Sequence, residues 1–198
     1  MKQMFLHIGT HRTGTTSVQK YFRDNLSLLR DNGVKYDEWG YYTSQVLNAH
    51  APLNADRIRL HKCYPEVEEY DKIVWSSEGF FGHHWKGYSN IGLVAHDLGV
   101  LLKDIDTTVI AVIRNREEYL KSLFWLYKKM IGKDSWEEFY TRMSAFPLRW
   151  DELLDEYRKV FDKVLVFKYE GLDVINTMLD VIGTTVRNTK EYRENESD

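Results

Sequence analysis

The chain has 198 residues, 43% of them hydrophobic, with a formal net charge of −3. That length can bury the core of one domain over residues 1–198, and three prolines leave no Pro-rich linker to divide it. The negative balance argues against a general nucleic-acid binder, which needs many Lys/Arg contacts to phosphate, so any anion site must be local. Cys63 is the single cysteine, which excludes an intrachain disulfide and a multi-cysteine metal site. The chain runs from its first residues directly into an apolar segment, without a leader or an apolar span long enough for a membrane. A cytoplasmic protein is expected on that basis.

Phe5, Leu6 and Ile8 predict a buried strand over 4–9, and Val18, Phe22, Leu26 and Leu29 recur at helical spacing over 15–31. Between them runs Gly9-Thr-His-Arg-Thr-Gly-Thr-Thr16. The unpaired N–H groups of the helix's first turn and the helix dipole make this junction a cradle for phosphate or sulfate. Gly9, Gly14 and Thr16 fill the P-loop frame G-x-x-x-x-G-K-[ST], with Thr15 at the lysine position. The nearest cation is Arg12, inside the loop, where a planar five-donor fork can grip phosphate or sulfate oxygens. Gly33, after Asp31 and Asn32, is a helix stop.

Region 34–70 matches no element clearly; it holds the aromatic cluster Trp39, Tyr41 and Tyr42 and the basic segment Arg57-Ile-Arg-Leu-His-Lys62. The next strand, over 72–76, ends in Ser76, Ser77 and Glu78, which places a carboxylate at the same sheet edge as the loop. His83 and His84 follow, and a further aromatic pair, Trp85 and Tyr88, can stack on a sugar or adenine or belong to the core. A helix is predicted over 91–103. A β-branched run over 107–113 forms a strand ending at Arg114, and the helix over 116–131 carries Ser122 about two turns on. A helix over 149–160 and a strand over 163–168 follow, then Tyr169-Glu-Gly-Leu172; Gly183 is a second helix stop, and an acidic tail after Arg187 is expected to fray. Strands alternating with helices imply right-handed crossovers and an α/β, three-layer, P-loop-like fold with a central parallel sheet. Ligands then bind at the carboxyl ends of the strands.

The run His11-Arg-Thr-Gly-Thr-Thr16 resembles the phosphosulfate-binding loop of sulfotransferases, which take their sulfuryl group from 3′-phosphoadenosine 5′-phosphosulfate. Arg114 with Ser122 eight residues later resembles the family's pair for the donor's 3′-phosphate, and Lys163-Val-Leu-Val-Phe-Lys-Tyr-Glu-Gly-Leu172 resembles its late strand and Tyr-Glu-x-Leu element. The small size is similar to that of bacterial or viral relatives. The resemblance implies that His11, Arg12, Thr13, Gly14, Thr15, Thr16, Ser17, Arg114 and Ser122 hold the donor, with 3′,5′-adenosine bisphosphate as product. It implies no metal requirement. Most members carry Lys where this chain has Arg12, so the role of Arg12 rests on charge: it steadies the leaving phosphate without donating a proton. Ser17 stands where cytosolic members carry an adenine-stacking Trp, and the late basic segment that closes the 3′-phosphate site has only Arg187 to Lys190 as a counterpart.

A catalytic base must reach the acceptor's hydroxyl or amine, and Glu78 is the first candidate by topology, with His83 and His84 as rivals. Small-molecule and carbohydrate acceptors both remain open, and residues 34–70 are the expected acceptor-binding insertion. Two other classes stay in play: a P-loop-related, Mg²⁺-dependent kinase, which the missing lysine disfavours, and a nucleotide-binding module without turnover.

Overall fold

Side chains alternate across a strand, and in β1 (Gln3–His7) both sets are buried: Met4 and Leu6 pack to one side, Phe5 to the other. A strand covered on both faces belongs in the middle of a parallel sheet. The computed structural model, which describes residues 2–37, 40, 43, 44, 47, 70–130 and 132–188, places β1 third in a sheet of five. It lies parallel between β3 (Lys72–Ser76) and β4 (Asp106–Ile113). The short β2 (Val34–Tyr36) joins β3, and β5 (Lys163–Lys168) joins β4, both parallel, in the order β2-β3-β1-β4-β5.

Two hydrophobic clusters cover the two faces. On one, α1 (Thr15–Asp24), α2 (Leu26–Asp31) and α7 (Val174–Ile182) bury Val18, Phe22, Leu29, Met178 and Leu179 against Phe5, Val74 and Ile110. On the other, α3 (Ile91–Leu102), α4 (Arg116–Met130), α5 (Trp136–Ser144) and α6 (Trp150–Arg158) close over Leu6, Trp75 and Val109. The molecule is therefore the expected three-layer α/β fold with a central parallel sheet.

The boundaries differ from expectation where local chemistry intervenes. The predicted 15–31 helix divides at Asn25, whose side-chain amide and backbone N–H both donate to the Tyr21 carbonyl, at 2.8 and 3.1 Å. Side-chain competition for a helix carbonyl is the reason. The first strand ends at His7 rather than at residue 9, yet the Ile8 and Thr10 N–H groups still donate to Ile110 and Val112 carbonyls, each at 2.9 Å. The chain thus leaves β3 while remaining tied to β4. Helix α5 opens on a capping box formed by Ser135 and Glu138, and α7 is capped by Asp173 and stopped by Gly183 at φ 68. Residues 48–69, including the 57–62 segment, together with Trp39, Tyr41, Tyr42 and the tail beyond 188, lie outside the described residues.

Arg187 is held by Asp180 at 2.9 Å and by the Thr184 carbonyl at 2.9 Å. The last turn of α7 lies at the amino edge of the sheet, where Lys72 Nζ donates to the Gly183 carbonyl at 2.8 Å. Arg187 therefore starts from the edge opposite the loop.

Phe22 is fully buried and stacks on Tyr36 with ring centroids 5.2 Å apart, anchoring α1 to the sheet. Phe22→Ala is expected to lower stability by about 3–5 kcal/mol in urea unfolding. His7 is fully buried at the end of β1, and burial lowers its imidazole from 6.5 to about 4. Unfolding must then take up a proton below pH 6.5, so stability is present above that pH and falls as the pH drops to about 4. The expected slope is about 1.4 kcal/mol per pH unit; it should be absent from His7→Gln and so stand out in the difference between wild type and variant in unfolding measured across that range.

Candidate active site

The connections leave β1 and β3 in opposite directions, one toward β2 and the other across to β4, so the carboxyl ends of β1, β3 and β4 frame the crevice where open α/β sheets bind ligands. The Gly9–Gly14 loop fills it. Arg12 and Gly14 are both left-handed, at φ 69 and 77. Glycine takes that conformation without penalty, whereas at Arg12 it costs about 1–2 kcal/mol, strain of the kind that surrounding contacts must hold. Gly9 is required for a different reason: a Cβ there would stand 2.7 Å from the Oγ1 atoms of both Thr13 and Thr15.

Those threonines fold back under the loop. Thr13 Oγ1 donates to the Thr10 carbonyl at 2.5 Å, and Thr15, at the P-loop lysine position, is only 4% exposed. No cation stands at that position. Helix α1 begins after Gly14 without a side-chain cap and with no acidic residue in its first turn, so its dipole meets the cleft uncompensated. Ser17 is buried on α1, and neither its hydroxyl nor that of Thr13 belongs to the cleft wall.

The cations come from two elements. Arg12 Nε donates to Ser122 Oγ on α4 at 2.8 Å, and an Arg114 terminal nitrogen donates to the Arg12 carbonyl at 3.3 Å. Burial, and then the neighbouring charge of Arg114, lower the Arg12 guanidinium from its ordinary value. Two like charges held together in this way favour an anion beside them. Arg114 sits 5.2 Å from the centre of the Tyr169 ring and 4.0 Å from a Glu170 carboxylate oxygen; its buried Nε makes no hydrogen bond. The same Glu170 oxygen accepts from the Asn115 N–H at 2.8 Å, and the Trp150 indole donates to the Arg114 carbonyl at 2.7 Å. The Tyr169-Glu170 element thus braces the turn that carries Arg114, and the Tyr169 ring lies along Gly14.

Arg12, Arg114, Ser122 and Glu78 line one cleft of about 660 Å³, with Thr15, Thr16 and Tyr169 in its wall. Glu78 opens the 3₁₀ turn Glu78–Phe81, and burial raises its carboxyl above the ordinary carboxylate value. His83 and His84 are absent from the lining. His84 lies against His11 with ring centroids 3.7 Å apart and the rings tilted by 39°, and burial, then His83, bring its imidazole down to about 4. Of the three candidate bases, Glu78 is the one that faces the cleft.

His11 reaches the cleft wall backed by a residue that sequence reasoning treated only as an aromatic. Tyr88 is fully buried, left-handed at φ 61, and its hydroxyl accepts from the His11 backbone N–H at 3.3 Å. Trp85 packs against the core, leaving Trp125, 59% exposed, as the tryptophan in the cleft wall. The helical spacing that marks Ser122 also puts Trp125 one turn further on, a signal present in the sequence. Among the described residues no group of three His, Cys, Asp or Glu side chains is placed to hold a metal, and no helix is long and apolar enough to cross a membrane.

No protein-family model matches the chain, and no curated protein matches it. Among solved structures the chain is similar to mouse sulfotransferase SULT7A1 complexed with PAP, with TM-score 0.53 and 14% identity over 95% of this chain and 61% of that one. It thus spans less than two thirds of that protein's length. It is also similar to a fungal RNA kinase (TM-score 0.43, 14% identity, 91% of this chain and 82% of that one) and to polyphosphate kinase 2 from Arthrobacter aurescens TC1 (TM-score 0.40, 15% identity, 100% and 73%). At such identities the likeness to the sulfotransferase bears on architecture, and it agrees with the α/β, P-loop-like arrangement of a parallel sheet between helix layers.

Proposed function

We propose that this chain is a sulfotransferase that moves a sulfuryl group from 3′-phosphoadenosine 5′-phosphosulfate to a hydroxyl or amine of a small-molecule or carbohydrate acceptor. One observation carries the reading: Arg114, donating to the Arg12 carbonyl, and Arg12, donating to Ser122, stand together at an uncapped helix start whose P-loop lysine is replaced by a buried threonine. A donor with phosphate at both ends suits two cations on separate elements. Similarity to a sulfotransferase structure holding PAP supports the same reading.

The donor supplies a sulfuryl group activated by its link to phosphate. Arg12 stabilises negative charge on the departing phosphate electrostatically, since a guanidinium stays protonated. Arginine also suits the geometry better than lysine: its fork carries five donors, so the Nε contact to Ser122 orients the group without using its whole capacity. Arg114 and Ser122 hold the donor's other phosphate. Glu78, raised by burial toward the pH at which proton transfer is efficient, takes the acceptor's proton.

Glu78→Gln is expected to lower radiolabelled sulfate transfer by about 10²- to 10⁴-fold while leaving affinity for 3′,5′-adenosine bisphosphate unchanged. Near-normal turnover in that variant would remove Glu78 as the base. Arg114→Ala is expected to weaken binding of the bisphosphate by about 1.5–3 kcal/mol in calorimetry.

A further inference from the structure

We propose that His11 meets the bound anion as a neutral imidazole donating from Nε2, and that Tyr88 and Tyr119 are positioning residues that hold it in that tautomer. The inference rests on the reading of the loop as an anion site, and it assigns a proton that this reading leaves open.

Three groups converge on the Tyr88 hydroxyl: the His11 backbone N–H at 3.3 Å, the Tyr119 hydroxyl at 2.9 Å and His11 Nδ1 at 3.4 Å. A phenol has two lone pairs and one proton. The backbone N–H occupies one lone pair. Two arrangements can complete the set. In the first, His11 Nδ1–H takes the second lone pair and Tyr88 donates to Tyr119. The Tyr119 hydroxyl is fully buried and, among the described residues, meets only that of Tyr88, so its own proton would be stranded without an acceptor. In the second, Tyr119 donates to Tyr88 and Tyr88 donates to a bare His11 Nδ1. Every polar group is then satisfied, and the ring proton lies on Nε2, away from Tyr88.

The surroundings agree. The imidazole lies against His84 with ring centroids 3.7 Å apart and stands next in the chain to Arg12; a charged ring would repel the neighbouring histidines if they too were charged. Burial and the neighbouring histidines hold His11 neutral. A neutral ring presenting a bare nitrogen to an anion would repel it, whereas Nε2–H adds a donor to the cleft wall that His11 lines. Tyr88 keeps a left-handed backbone unusual for a bulky residue, the kind of strain that persists where a side chain must be aimed.

The test is the ¹⁵N spectrum of the imidazole in the free, full-length protein, with pyrophosphate as probe of the loop. The proposal requires the His11 proton on Nε2, unchanged from pH 7.5 to 5.5, and its redistribution toward Nδ1 in Tyr88→Phe. His11→Gln, whose amide reaches the Nε2 position, should keep pyrophosphate affinity within about threefold, while the shorter His11→Asn should lose about tenfold or more. A wild-type proton on Nδ1, or equal affinities in the Gln and Asn variants, would overturn it. The spectrum needs no nucleotide and pyrophosphate carries no sulfuryl group, so failure of the sulfotransferase reading would leave these outcomes distinct.

Discussion

Two guanidinium groups are held beside each other at the carboxyl edge of the sheet, and much of the architecture serves to keep them there. Arg12 comes from the loop after β1 and Arg114 from the end of β4, so the parallel register of those strands sets their separation. The Ile8 and Thr10 N–H groups keep the loop tied to β4 after β1 has ended, and the Arg114 side chain closes the tie on the Arg12 carbonyl. Ser122, Tyr169 and Glu170 then fix the two side chains from α4 and from the turn after β5. Held like charges raise the free energy of the empty cleft and lower it for a bound polyanion.

The loop reaches this geometry through close packing rather than through a lysine. Gly9 lets Thr13 and Thr15 fold against the backbone, and their burial leaves the cleft to Arg12 and to the first turn of α1. The exchange moves the positive charge from the helix start to the loop's flank, facing α4. That displacement separates the site from the geometry a Mg²⁺-nucleoside triphosphate uses.

Patterns local in the chain were legible before the structure. The 72–76 and 163–168 strands read correctly because each is an apolar run bounded by polar residues; strand-end and helical spacing place Arg114 and Ser122, while their pairing comes from the family resemblance. Helix α7 is marked in the sequence by its stop at Gly183, and Val174, Ile175, Met178, Leu179 and Ile182 supply the periodicity that sets its extent. The three residues of β2 are too few to show a period. The support of His11 by Tyr88, 77 positions away, was out of reach because it depends on how the segment after β3 folds back beneath the loop. Topology alone places Glu78 at the sheet edge, and its position in the cleft wall, which His83 and His84 do not share, distinguishes it from them.

On the proposed reading, paired arginines take the place of the P-loop lysine and hold a donor with phosphate at both ends. Calorimetric titration with 3′,5′-adenosine bisphosphate and with ATP, each with and without Mg²⁺, distinguishes this from a nucleoside triphosphate site. Tight, metal-independent binding of the bisphosphate, with weaker binding of ATP, is the expected result. Preference for Mg·ATP over the bisphosphate would contradict it.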